Sequence, residues 1–230
     1  MRPCRPGCRG LFAWLLALSC LASAPALALP EGFVHLADVA PLAREEARYA
    51  TADNFVGRPV DGYNAPRVVL SRPAAQALDK VARELAPFGL GIKVFDGYRP
   101  QRAVDHFARW AADLADQATK SRYYPDVAKE RLFADGYIAA RSGHSRGGTV
   151  DLTLIDLATG AELPMGTPFD FFGPESWPDH AGIPVAERAH RLLLRQVMTR
   201  HGFRPLREEW WHFTLENEPY PDRYFDFAVE

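Results

Sequence analysis

Gly91-Ile92-Lys93-Val94-Phe95-Asp96-Gly97-Tyr98-Arg99-Pro100 runs from a short apolar strand into a turn, and the sequence on both sides of it is helical in pattern. Upstream, Ser71-Arg72-Pro73 is a helix start, followed by Ala74, Leu78, Val81, Ala82 and Leu85 at helical spacing and stopped by Gly89. Downstream, Ala103, Phe107 and Trp110 to Leu114 mark a second helix. Farther on, Val150 to Ile155 alternates as a strand, Thr159-Gly160 turns the chain, and Ala186 to Arg200 is a third amphipathic helix closed by Gly202. Glu209 to Leu215 is a strand rich in aromatics. Strands and helices mix here without the regular alternation of a doubly wound parallel sheet. That predicts an α+β fold, a central antiparallel sheet flanked by helices. No repeat or long linker divides residues 29–230, so they read as one domain.

Of the 230 residues, 24% are charged and 47% hydrophobic. This composition supports one substantial core and excludes disorder, collagen or coiled coil as the dominant state. The net charge of -2 leaves no basic field of the kind that nucleic-acid binding requires. At the N-terminus Arg2, Arg5 and Arg9 precede the apolar run Leu11 to Leu21, and Ala26-Leu27-Ala28 follows as a small-residue cleavage site. Residues 1–28 are therefore expected to be a secretory signal peptide cut after Ala28, with Ala22-Ser23-Ala24 as a second candidate site. Ser19, Ser23 and Pro25 break the run short of the about 20 apolar residues that span a bilayer. Removing three arginines from a chain of charge -2 leaves a mildly acidic domain of charge -5. Cys4, Cys8 and Cys20 all lie in the removed segment, so the exported, periplasmic domain is expected to hold no disulfide. Leu18-Ser19-Cys20 is similar to a bacterial lipoprotein box, which makes a lipid anchor at Cys20 the alternative to free export.

Two of the seven histidines sit in contexts unlike the rest. Ser142-Gly143-His144-Ser145-Arg146-Gly147-Gly148-Thr149-Val150-Asp151 puts a histidine in a glycine-rich turn and an aspartate at a strand entrance, and Glu209-Trp210-Trp211-His212-Phe213 supplies another histidine. His144, Asp151 and His212 form an N,N,O set suited to one catalytic Zn²⁺ with a fourth position open to water. Such an ion lowers the pKa of the water it binds to about 7, provided a base can take the proton. Glu209, three residues before His212, is the candidate base if His212 opens a strand and Glu209 lies in the turn before it. Trp210 and Trp211 are expected to limit water access there. Arg99, three residues after Asp96, is either an oxyanion-stabilising guanidinium held by that carboxylate or a purely structural partner of it.

These segments together resemble the D-alanyl-D-alanine dipeptidases of the VanX type, zinc peptidases that share a fold with zinc D-Ala-D-Ala carboxypeptidases and with the signalling domain of Hedgehog. The resemblance extends through Tyr49-Ala50-Thr51-Ala52-Asp53-Asn54-Phe55, Pro59-Val60-Asp61-Gly62-Tyr63, Met165-Gly166-Thr167-Pro168-Phe169-Asp170-Phe171 and Glu218-Pro219-Tyr220-Pro221, and so covers residues 29–230 in order. It implies zinc on His144, Asp151 and His212, Glu209 as general base and then acid, and Arg99 on the tetrahedral intermediate. It further implies that Asp170 and Tyr49 hold the free ammonium of a dipeptide and that Ser142 and Tyr137 lie near its carboxylate.

Two features depart from the family pattern. Thr149 stands where alanine is usual, and its hydroxyl needs a partner. The export signal separates the enzyme from a cytoplasmic pool of D-Ala-D-Ala, which points to dipeptides released in peptidoglycan turnover. The competing readings are a zinc D,D- or L,D-carboxypeptidase acting on stem peptides and a non-catalytic zinc-containing binding module. The expected partner is a small dipeptide, with a homo-oligomer left open.

Overall fold

The computed structural model of the chain describes Met1 and residues 28–230. The apolar run of the expected signal segment, with Cys4, Cys8 and Cys20, lies outside the described residues. In chain order the elements are β1 (Phe33–His35), α1 (Leu36–Val39), β2 (Arg44–Glu45), β3 (Val69–Ser71), α2 (Arg72–Leu85), β4 (Leu90–Asp96), α3 (Gln101–Ala112), α4 (Lys120–Tyr123), β5 (Thr149–Asp156), α5 (Val185–Arg200), β6 (Phe203–Pro205) and β7 (His212–Leu215). No helix among the described residues is long and apolar enough to cross a membrane.

The main sheet has the order β2-β4-β5-β7-β6. Its pairs are antiparallel except at one edge, where the two residues of β2 run parallel to β4. β1 and β3 form a separate antiparallel pair. α2 and α5 pack against each other and against the sheet. The apolar stripe read from the sequence is what α2 buries: Ala74, Leu78, Val81, Ala82 and Leu85 are all inside. Each such large side chain contributes about 1.5–3 kcal/mol on full burial. Ser71 holds the N-cap position but makes no side-chain capping bond, and the helix tightens into a short turn before stopping at Gly89, whose φ of 72° suits a residue without a side chain.

β5 departs from the alternation expected of it. Its first seven residues are all buried. The reason is its central place, between β4 and β7, with both faces covered. Leu152 and Leu154 therefore share one buried face, and Asp151, Thr153 and Ile155 the other. The strand expected from Glu209 begins only at His212, and Glu209, Trp210 and Trp211 form the turn that leads into it.

Candidate active site

Three strands meet in one row of the sheet. Asp96 on β4 is the Cα partner of Asp151 on β5, and Asp151 is the partner of His212 on β7. Residues paired directly across strands point to the same face, so register alone brings these three side chains together. The segment before β5 adds His144 from a short helical turn, Gly143–Arg146, which Ser142 caps by accepting a hydrogen bond from the His144 N–H at 3.3 Å. Gly147 closes this turn at φ 79°, and a Cβ there would lie 2.4 Å from the Phe33 ring, so only glycine fits. Arg146 ties the turn to the C-terminal segment through Glu218, with contacts of 2.7–3.0 Å.

His144 Nε2 lies 3.3 Å from Asp151 Oδ2 and 3.4 Å from His212 Nδ1, and His212 Nδ1 lies 3.2 Å from Asp151 Oδ1. One donor atom from each residue fits within a 4.8 Å span. The orientation of the first ring is fixed from behind, because its Nδ1 is 2.7 Å from the Gly97 carbonyl oxygen. With the Nδ1 proton on that carbonyl, the Nε2 lone pair faces the cluster, the arrangement of metal-ligating histidines. Among the described residues Asp151 Oδ1 is buried without a well-formed hydrogen bond, although His212 Nδ1 lies 3.2 Å away. Two ring nitrogens and an orphaned carboxylate oxygen converging on one point fit a divalent cation, and the N,N,O set suits Zn²⁺. Burial alone would raise the Asp151 carboxyl, but His144 and His212 outweigh it and hold it well below the usual carboxylate range. Burial likewise works against the His212 cation, yet Asp151 and Glu209 push that ring up to about 9.

Glu209 reaches the cluster from the turn before β7, its Oε2 3.2 Å from His212 Nδ1, and it remains about one-fifth exposed. Trp210 and Trp211 do not shield it as expected. Both are buried and neither lines the cleft: Trp210 Nε1 donates to Thr167 Oγ1 at 2.9 Å and Trp211 packs edge-on against Phe169 at 5.5 Å. Arg99 is paired with Asp96 and also faces the cleft. Its Nε and Nη2 are each 2.9 Å from Asp96 Oδ2, Nη2 is 3.5 Å from Asp151 Oδ2, and the guanidinium still lines the cleft. Asp96 lies beneath, 1% exposed, its other oxygen accepting from the Tyr63 hydroxyl at 2.6 Å. Burial pushes the Asp96 carboxyl up against the pull of Arg99.

Asp170 comes from a loop, at φ 63°, a left-handed conformation that costs a non-glycine residue about 1 kcal/mol or more. It is 5% exposed, and the Tyr49 hydroxyl donates to its two oxygens at 3.1 and 2.9 Å. Burial first, and the nearby Asp151 charge next, raise its carboxyl well above the usual range. The loop is held by Arg191 of α5, 2% exposed, which donates to the carbonyls of Met165 at 2.6 Å and Trp177 at 2.8 Å. Tyr137 stacks on Phe172 at 5.1 Å.

Nine of the ten residues singled out in the sequence therefore line one cleft of about 210 Å³: His144, Asp151, His212, Glu209, Arg99, Asp170, Tyr49, Ser142 and Tyr137. Asp96 supports it from below. The volume is under the range typical of drug-sized ligands, which favours a very small substrate. Sequence reasoning missed Tyr63, Arg191 and the Gly97 carbonyl. A backbone carbonyl leaves no signal in a sequence, and a lone tyrosine or arginine leaves one too common to notice. The Thr149 hydroxyl has a partner after all, Thr214 Oγ1 at 2.9 Å, on the strand paired beside it.

The D-ala-D-ala dipeptidase family matches residues 30–230. A D-alanyl-D-alanine dipeptidase of Enterococcus faecalis is 46% identical over 201 residues, 87% of this chain and 100% of that protein. A D-alanyl-D-alanine dipeptidase of Streptomyces coelicolor is 49% identical over 186 residues, 81% of this chain and 92% of that protein. Among solved structures, a VanY D,D-pentapeptidase in complex with Zn(II) aligns with 65% of this chain and 74% of its own at 16% identity, with a TM-score of 0.39.

Proposed function

The chain belongs to the D-Ala-D-Ala dipeptidase family of peptidases, and from that membership we propose that it hydrolyses the free dipeptide D-Ala-D-Ala to two D-Ala with one Zn²⁺ at His144, Asp151 and His212. The observation that carries this reading is Asp170, a buried carboxyl whose hydrogen-bond partner among the described residues is the Tyr49 phenol, in the same small cleft as the three donors. A buried anion without a cation is costly, and an incoming ammonium removes that cost. A blocked or longer peptide brings no ammonium to that point.

A Zn²⁺ at the three donors would supply a Lewis acid for the scissile carbonyl and acidify a water. The remaining work falls to the chain itself. Glu209, at the cleft wall beside His212, takes the proton of the attacking water and returns it to the departing amine. Arg99, aimed by Asp96, meets the negative charge that develops on the carbonyl oxygen. Asp170, with Tyr49 behind it, receives the substrate ammonium. Ser142 and Tyr137 belong to the carboxylate end; the Ser142 oxygen already accepts from the His144 N–H, so its own proton is free to donate.

The purified protein loaded with Zn²⁺ is expected to release D-Ala from D-Ala-D-Ala, to lose that activity on chelation and to regain it with Zn²⁺. Failure to release D-Ala under any metal loading would sink the reading. We further propose that residues 1–28 direct export, so that the enzyme works on dipeptides outside the cytoplasm. Fusing residues 1–35 to a reporter tests this; a reporter that stays in the cytoplasm contradicts it.

A further inference from the structure

The cleft carries two arginines, and they are differently occupied. Arg99 is 12% exposed and pairs with Asp96 and Asp151. Arg141 is exposed, and among the described residues it forms no ion pair; its contact is the ring of Tyr224, 5.0 Å from the guanidinium carbon. It lines the active-site cleft and also the adjoining depression formed with Gln101, Asp222, Arg223 and Tyr224. Arg141 thus stands at the rim of the cleft, whereas Asp170, 5% exposed, lies inside it.

A dipeptide zwitterion entering this cleft presents a carboxylate to walls that already hold Asp151, Asp170 and Glu209. Three acids in one wall favour a further cation where that end comes to rest. Arg141 immediately precedes Ser142 and follows Tyr137 by four residues, so one stretch of chain leading to His144 supplies a phenol, a guanidinium and a hydroxyl to the same wall. Guanidinium forks suit planar carboxylates, and stacking on an aromatic ring holds the fork in place.

Resting on the dipeptidase reading above, we propose that Arg141, steadied by Tyr224, recognises the free carboxylate of the substrate at the cleft rim and so restricts the enzyme to dipeptides with an unblocked C-terminus. The substrate enters ammonium first, toward Asp170, and its carboxylate stays at Arg141.

The test is steady-state kinetics of the zinc-loaded full domain, wild type, Arg141→Gln and Arg141→Lys, with D-Ala-D-Ala and with D-Ala-D-Ala amide. The wild type is expected to prefer the acid. Arg141→Gln raises KM for the acid about tenfold with kcat changed less than about twofold, as removing one partly exposed charged contact should. Its loss on the amide is much smaller, so the preference collapses, and Arg141→Lys restores most of it. An equal loss on both substrates, or an acid-to-amide ratio equal to that of the wild type, overturns the proposal. A wild type that cleaves neither substrate overturns the dipeptidase reading itself, before any variant is compared.

Discussion

Asp151 and Asp170 are both buried carboxylates lining one cleft, yet their surroundings are opposite. Asp151 sits on the central strand, locked by register between Asp96 and His212, with His144, His212 and Arg99 around it. The two histidines outweigh burial and keep it ionised. Asp170 sits on a loop in a left-handed conformation, with a phenol as hydrogen-bond partner, and burial works against its charge. On the function proposed here, the difference separates two tasks. A metal ligand must be in place and charged at all times, which the sheet secures. A substrate-binding anion is more useful left short of a partner, because the ligand that supplies the missing charge is then favoured over one that cannot.

Four substitutions sharpen this contrast. The largest effect belongs to the ligand end: Glu209→Gln is expected to lower kcat by about 10²–10⁴, with zinc content by elemental analysis unchanged. A fully active variant would remove Glu209 from the chemistry. Next comes Asp170→Asn, expected to lower kcat/KM on the free dipeptide about 30-fold or more, the cost of losing one partner of a buried charge pair. The same change is expected to make the substrate-free protein more stable at neutral pH. The sign follows from the raised carboxyl: the unfolded chain ionises Asp170 first, so the stability it confers is present at low pH and lost as pH rises through the folded value. Melting curves from pH 4 to 8 should therefore fall less steeply for the variant; identical pH profiles would contradict the unpaired state of Asp170.

Smaller effects are expected farther from the chemistry. Arg191→Met takes the donors from the Met165 and Trp177 carbonyls and should cost about 1–3 kcal/mol of stability, with KM for the dipeptide raised as the Asp170 loop loosens. Unchanged KM in a folded variant would detach Arg191 from the site. Thr149→Ala leaves Thr214 without its hydroxyl partner, for about 1 kcal/mol in denaturant titration, and activity close to that of the parent.

Much of this was legible in the sequence where physics is local. The stripe of α2 needed only helical spacing, and its buried set follows it; in α3 Ala103, Phe107 and Trp110 are buried as read, but the helix ends at Ala112 and Leu114 is exposed. The residues of the cleft were recognised as types and motifs, but their convergence was not derivable from spacing. Asp96, Asp151 and His212 are far apart in the chain and meet only because β4, β5 and β7 pair in one particular register. The two-residue strand β2 is too short to show any period, so its parallel pairing was hidden. The burial of β5 on both faces depends on its neighbours, as does the turn of Trp210 and Trp211 away from the cleft.

On the function proposed here, a buried carboxyl at Asp170 that lacks a cationic hydrogen-bond partner among the described residues makes a dipeptidase of this cleft. Release of D-Ala by the zinc-loaded domain should be measured side by side on D-Ala-D-Ala, its N-acetyl derivative and a pentapeptide ending in D-Ala-D-Ala. Rapid release from the free dipeptide and little from the other two is expected. Comparable release from the blocked or longer substrates would contradict it and move the protein to the carboxypeptidases.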